Sequence, residues 1–94
     1  MIVTVRLPRA LADYAGGHSR IAVDVVQGAS LNSVVSAIGI DYPAIARRIV
    51  DEAGQQRRHV NIYVGNEECR RLQGLETPVP DGVEVFVIGS IAGG

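Results

Sequence analysis

Residues 2–7, IVTVRL, alternate between apolar and mixed positions: Val3, Val5 and Leu7 share one face and Ile2, Thr4 and Arg6 the other. That period of two predicts a half-buried strand, and Pro8, which has no N–H for a ladder, ends it. Residues 20–26 repeat the pattern, with Ile21, Val23 and Val25 set against Ala22 and Asp24. The two runs read as an antiparallel pair joined by a loop over 8–19, whose strongest turn signal is Gly16-Gly17. The period then changes. Ser30 is a candidate N-cap, and Leu31, Val34, Val35 and Ile38 fall at helical spacing before Gly39, which reads as the stop. A second, shorter helix is predicted over 41–50, with Pro43 near its start and Ile45 and Ile49 four apart. Residues 51–58 are polar and read as loop. Val60, Ile62 and Val64 restore the strand period, and Gly65-Asn66 turns the chain into a short segment around 67–72. The turn-rich stretch GLETPVPDG follows, and a last strand spans about 83–90.

Two strands, a helix and further strands in this order predict one α+β domain. The expected architecture is a mixed sheet of four to five strands with one main helix across one face, entered by a right-handed crossover. The last strand is expected beside the first, in the middle of the sheet, which is the ubiquitin-like β-grasp. Residues 1–90 form the domain in this reading, and residues 91–94 a flexible C-terminal diglycine tail.

Composition narrows the function. The 94 residues suffice for one modest core, and 47% hydrophobic against 20% charged residues is a globular balance. A net charge of −1 argues against a nucleic-acid partner held through phosphates. No apolar run is long enough to cross a bilayer, and the first residues read as a strand rather than a leader, so no membrane partner and a cytoplasmic location are expected. Cys69 is the single cysteine, set between Glu68 and Arg70 without a motif, and reads as a structural thiol. His18 and His59 have no metal-like spacing and read as surface residues. No carboxylate pair suits acid–base work, and Gly16-Gly17 lacks the Lys and Ser/Thr of a phosphate loop. All 9 basic residues are arginines, three adjacent pairs among them: Arg47-Arg48, Arg57-Arg58 and Arg70-Arg71. They read as solvated surface, or as a patch that steers an acidic partner.

With no catalytic constellation, two features are left. If Val83, Val85 and Val87 face the helix, Phe86 and Ile88 face away, and Ile2, Thr4 and Tyr63 point the same way. Ile2, Tyr63, Phe86 and Ile88 are therefore the candidate docking face, since an apolar patch on an open sheet marks a binding surface. The second feature is the ending SIAGG. Glycine without a Cβ can thread a narrow tunnel and lets a nucleophile approach its carbonyl carbon. Residues 91–94, extended, reach about 13 Å. Gly94 is the candidate reactive carboxylate, and Ile91, Ala92 and Gly93 are the segment expected to enter a partner's active site. Without a lysine, the chain offers no side-chain amine for its own activated terminus to acylate.

The stretches VNIYV at 60–64 and LETPVPDGVEVFVIG at 75–89, with the Asp81-Gly82 turn and the terminal AGG, resemble the ubiquitin-like sulfur carrier proteins of the ThiS/MoaD type over nearly the whole chain. HVNIYVGNEECRRLQGL looks most like the actinobacterial cysteine-biosynthesis branch of that family (CysO-like). The resemblance implies a non-enzymatic carrier. An E1-like adenylyltransferase/sulfurtransferase would use ATP to adenylate Gly94, and a sulfur donor would then displace AMP to leave a thiocarboxylate. A sulfur-accepting synthase would take the sulfur: a cysteine synthase-like enzyme with PLP, a thiazole synthase-like thiosugar synthase, or the large subunit of molybdopterin synthase. In the cysteine branch a metallopeptidase would release the product. ATP, PLP and metal would belong to partners, so no cofactor is expected to bind stably here. Alternatives are the small subunit of molybdopterin synthase, a ubiquitin-like protein modifier, or an interaction module with an inert tail. Where many relatives place prolines before the diglycine, this chain has GSIAGG, which argues against the molybdopterin branch.

Overall fold

In the computed structural model the described residues are 1–89. The expectations placed on Ile91, Ala92, Gly93 and Gly94 lie outside them. The elements are β1 (Ile2–Arg6), α1 (Arg9–Ala12), β2 (Arg20–Asp24), α2 (Leu31–Asp41), α3 (Pro43–Ile49), β3 (Val60–Val64), β4 (Glu67–Glu68) and β5 (Val85–Gly89). Short 3-10 turns cover Asp13–Ala15, Cys69–Arg71 and Gly74–Glu76. The strands form one sheet of 5 in the order β2-β1-β5-β3-β4. β1 and β5 pair in parallel and the other neighbours are antiparallel, so the last strand does lie beside the first, at the centre. This is the ubiquitin-like β-grasp, a mixed sheet with helices packed on it.

The alternation has the expected sense. Val3, Val5, Ile21, Val23, Ile62, Val64, Val85 and Val87 are buried and share one core cluster with Leu31, Val34, Val35, Ile38, Ile45 and Ile49. Burying that surface against the sheet, at about 25 cal/mol per Å², is what holds helices this short in place. The Ser30 side chain caps α2 by accepting from the Ser33 N–H at 3.4 Å.

The structure differs from the expectation in two places. Residues 8–19 are not a plain loop. The Pro8 carbonyl accepts from the N–H groups of Leu11 and Ala12, each at 2.9 Å, and starts α1. Leu11, Ala12 and Ala15 bury themselves in the core. One helical turn followed by one 3-10 turn is too short to display a period, which is why the pattern misses it. Gly16, with φ 65°, closes the segment as the turn signal predicts. Gly39 is not a stop either, because α2 continues to Asp41. It is a contact point: a Cβ placed there would lie 3.3 Å from that of Ala46, so the missing side chain lets α2 and α3 approach.

Candidate functional site

The open side of the sheet is built from the register. Phe86 on β5 lies between Arg6 of β1 and Tyr63 of β3, and Tyr63 in turn faces Glu68 of β4. Ile88 pairs with Asn61 one step further along. Tyr63, Phe86 and Ile88 are thus cross-strand and diagonal neighbours on one surface, close enough for aromatic and branched side chains to touch. Ile88 is 47% exposed, while Tyr63 and Phe86 are partly covered by their neighbours.

Charged side chains frame this group on both sides. The Arg6 guanidinium sits 5.7 Å from the Phe86 ring centroid and donates to Glu84 at 3.2 Å. Across the patch, Arg70 donates to Asn61 Oδ1 at 2.7 Å and pairs with Glu68 at 3.6 Å. An apolar centre with a half-exposed charged rim has the anatomy of a transient protein interface.

Ile2 shares that face but not that place. Along the parallel β1–β5 register it lies four residues before the row of Phe86, and Ile88 lies two beyond it. Six residue steps separate the two isoleucines by about 20 Å. The expected four-residue patch is therefore a compact trio, with Ile2 exposed alone at the far end beside Asp24.

The arginine pairs divide by role. Arg57 Nε donates to the Arg47 carbonyl at 2.8 Å. One Arg70 nitrogen donates to the carbonyls of Arg57 and Arg58 at 3.0 and 3.3 Å. Arg48 donates to the Ala44 carbonyl at 2.9 Å. Arg57 and Arg70 fasten α3, β3 and the loop between them, while the Arg48 bond stays within α3. Arg47, Arg58 and Arg71 are exposed and make no side-chain hydrogen bond among the described residues.

Cys69 is fully buried, and its thiol donates to Gln56 Oε1 at 3.3 Å. Burial pushes the thiol pKa up, overriding the lowering effect of Arg70. A neutral, enclosed thiol is a poor nucleophile, which agrees with the structural reading. His18 and His59 are both exposed. Among the described residues no group of His, Cys, Asp and Glu is placed to hold a metal ion, and no helix is long and apolar enough to cross a membrane.

β5 carries two of the trio and ends at Gly89, next to residues 90–94. The match to the ThiS family spans residues 5–94, and so includes this strand, the trio and the diglycine. The chain belongs to the ThiS family. As a ThiS-family chain it is 35% identical over 96 residues to the sulfur carrier protein CysO of Mycobacterium tuberculosis, covering 100% of both. It is 30% identical over 78 residues to small archaeal modifier protein 3 of Haloferax volcanii, covering 83% of this chain and 84% of that one. Among solved structures it superposes with TM-score 0.85 on a chain of the BexX/CysO complex of Amycolatopsis orientalis, at 30% identity over 98% of this chain and 99% of that one. It stands among the sulfur carrier proteins of the ThiS/CysO kind, with ubiquitin-like relatives. The family expected from VNIYV, the Asp81-Gly82 turn and the final AGG is the family found.

Proposed function

We propose that this chain is a sulfur carrier whose Gly94 carboxylate is the reactive group, and that it is not itself an enzyme. The observation that carries this reading is the ThiS-family match, which runs through the diglycine at the end of a β-grasp domain. The carboxylate of Gly94 attacks the α-phosphorus of ATP on an E1-like enzyme, and pyrophosphate leaves. A sulfur nucleophile then attacks the acyl carbon, AMP leaves, and a Gly94 thiocarboxylate results. A synthase takes up that sulfur, and residues 91–93 provide the slim approach because only Ile91 carries a large side chain. The Tyr63, Phe86 and Ile88 trio, rimmed by Arg6 and Arg70, docks the partners. A relative solved in complex with BexX supports a partner that binds the folded domain. The likeness to CysO favours cysteine biosynthesis as the destination, and a sulfur-containing natural product is the other outlet that the resemblance leaves open.

The test is the intact mass of the chain before and after incubation with ATP, a sulfide source and an E1-like enzyme of the source cell. Exchange of one oxygen for one sulfur, absent when Gly94 is deleted, is the expected result. No exchange with any such enzyme overturns the carrier reading. A second reading, favoured by the likeness to an archaeal modifier protein, is amide conjugation of Gly94 to lysines of other proteins. It requires higher-mass adducts in extract that resist thiol reductants.

A further inference from the structure

The helix side of the sheet holds a feature that sulfur transfer leaves unused. The β1–β5 register pairs Arg6 with Phe86, so the next steps would set Leu7 against Val87 and Pro8 against Ile88. Pro8 cannot continue the ladder, and the chain turns into α1 instead. A groove of about 710 Å³ is left beside the end of β5. Val60 and Val87 form its floor and Tyr14 one wall. The Arg48 guanidinium lies over the Tyr14 ring at 4.1 Å and is tethered by its bond to the Ala44 carbonyl. Arg9 and His59 complete the rim.

The electrostatics of this groove are one-sided. No aspartate or glutamate lines it, and none of its three basic residues takes part in an ion pair among the described residues. In a chain of net charge −1 this is a local concentration of positive charge. Stacking covers the face of the Arg48 guanidinium and Nη1 is held by the Ala44 carbonyl, which leaves Nε and Nη2 for a planar bidentate acceptor, the geometry a carboxylate fits. Gly89 lines the same groove, so an occupant would stand beside the start of the segment that leads to Gly94.

We propose that this groove docks an acidic peptide segment of a partner enzyme. A large apolar side chain of that segment rests on Val60, Val87 and Tyr14, and its carboxylates meet Arg9 and Arg48. That the partner acts on Gly94 rests on the sulfur carrier reading; the groove's preference for such a peptide does not. The groove lies on the opposite side of the sheet from Tyr63 and Ile88, so one enzyme can grip the end of β5 from both faces, or two enzymes can each hold one.

The test is a titration of the full ¹⁵N-labelled chain at low salt. The probes are a capped peptide alternating glutamate and leucine, its glutamine–leucine counterpart, and inorganic phosphate. The expected result is that the glutamate peptide shifts the amides of Tyr14, Arg48 and His59 and leaves Tyr63 and Ile88 unmoved. The glutamine peptide should bind about tenfold more weakly, the loss expected when charge complementarity is removed. Arg9→Gln combined with Arg48→Gln should weaken the glutamate peptide to the same degree. Arg9→Gln alone serves if the double variant melts early, because Arg9 makes no side-chain hydrogen bond among the described residues. Equal binding of the two peptides, shifts confined to the Tyr63 face, the same shifts from phosphate alone, or shifts that depend only on protein concentration would each overturn the proposal. The mass gain at Gly94 is read separately, so loss of the groove and loss of the carrier chemistry are distinguishable.

Discussion

Val85 and Ile88 belong to the same five-residue strand, and the structure assigns them opposite roles. Val85 is 2% exposed and sits in the core between β1 and β3. Val85→Ala removes two buried carbons, about 1.6 kcal/mol of transfer free energy, and the unfilled space raises the cost to about 2–3 kcal/mol. For a domain of this size that lowers Tm by roughly 10–20 °C. Ile88 is 47% exposed on the open face. Ile88→Ala removes three carbons that are already half in water, leaves no cavity, and costs about 1 kcal/mol. Its effect should appear in docking instead, as a fall in kcat/KM of about tenfold for sulfur loading by the E1-like enzyme, carried by KM. Thermal melts followed by circular dichroism, with loading rates on the same preparations, measure both. If Ile88→Ala melts as low as Val85→Ala, the strand has slipped by one residue from the register described. If Ile88→Ala loads like the parent chain, the register stands and the trio is not the docking face.

Two further outcomes concern stability and follow from Cys69 and Arg70. The Cys69 thiol is pushed up from an ordinary value of 9.0 by burial, so on raising the pH the unfolded chain ionises first. Its contribution to stability is complete below 9.0 and declines as the pH climbs from there toward the folded value, so Cys69→Ala should flatten the alkaline fall in Tm; an unchanged slope would refute the assignment. Arg70→Met keeps the stem but removes the bonds to Asn61 and to the carbonyls of Arg57 and Arg58. The cost should be about 1 kcal/mol after solvent screening. Hydrogen exchange should quicken at the Val60 amide, which donates to the Arg57 carbonyl, and protection equal to the parent chain would show that Arg70 does not fasten this loop.

Periodicity revealed which way side chains point and little about how far apart they end up. The alternation in residues 2–7 and 85–88 sorts core from open face correctly, because a strand buried on one side leaves that choice no freedom. Placing Ile2 with Ile88 needed the offset between two strands nearly eighty residues apart in sequence, which only the β1–β5 register supplies. The same limit explains Gly39. As sequence it is the natural end of a helix, but its role comes from Ala46 on the neighbouring helix, and packing outweighs the roughly 1 kcal/mol that glycine costs inside a helix.

The groove beside Gly89 shows most clearly what a linear reading leaves out. Arg9 and Tyr14 come from the segment between β1 and β2, Arg48 from α3 and His59 from the residue before β3, and no spacing in the sequence joins them. In sequence Arg48 reads as half of a surface pair, and residues 8–19 read as a loop turned at Gly16-Gly17. What brings them together is Pro8. By ending β1 before β5 ends, it leaves one side of Val87 to be covered by α1 rather than by a further pair of strand residues. Replacing Pro8 would therefore test whether the groove and the fold are separable. Pro8→Ala restores an N–H and lets β1 run on beside β5, so α1 should lose its fixed start and the amides of Leu11 and Ala12, which donate to the residue 8 carbonyl, should exchange faster. Leu11, Ala12 and Ala15 belong to the core cluster, but Val3, Val5, Val85 and the α2 residues in it lie outside that turn, so the melt should fall less than for Val85→Ala. A collapse of the whole fold would mean that α1 is part of the core's framework, and that the groove is a by-product of folding rather than a surface free to be shaped for a partner.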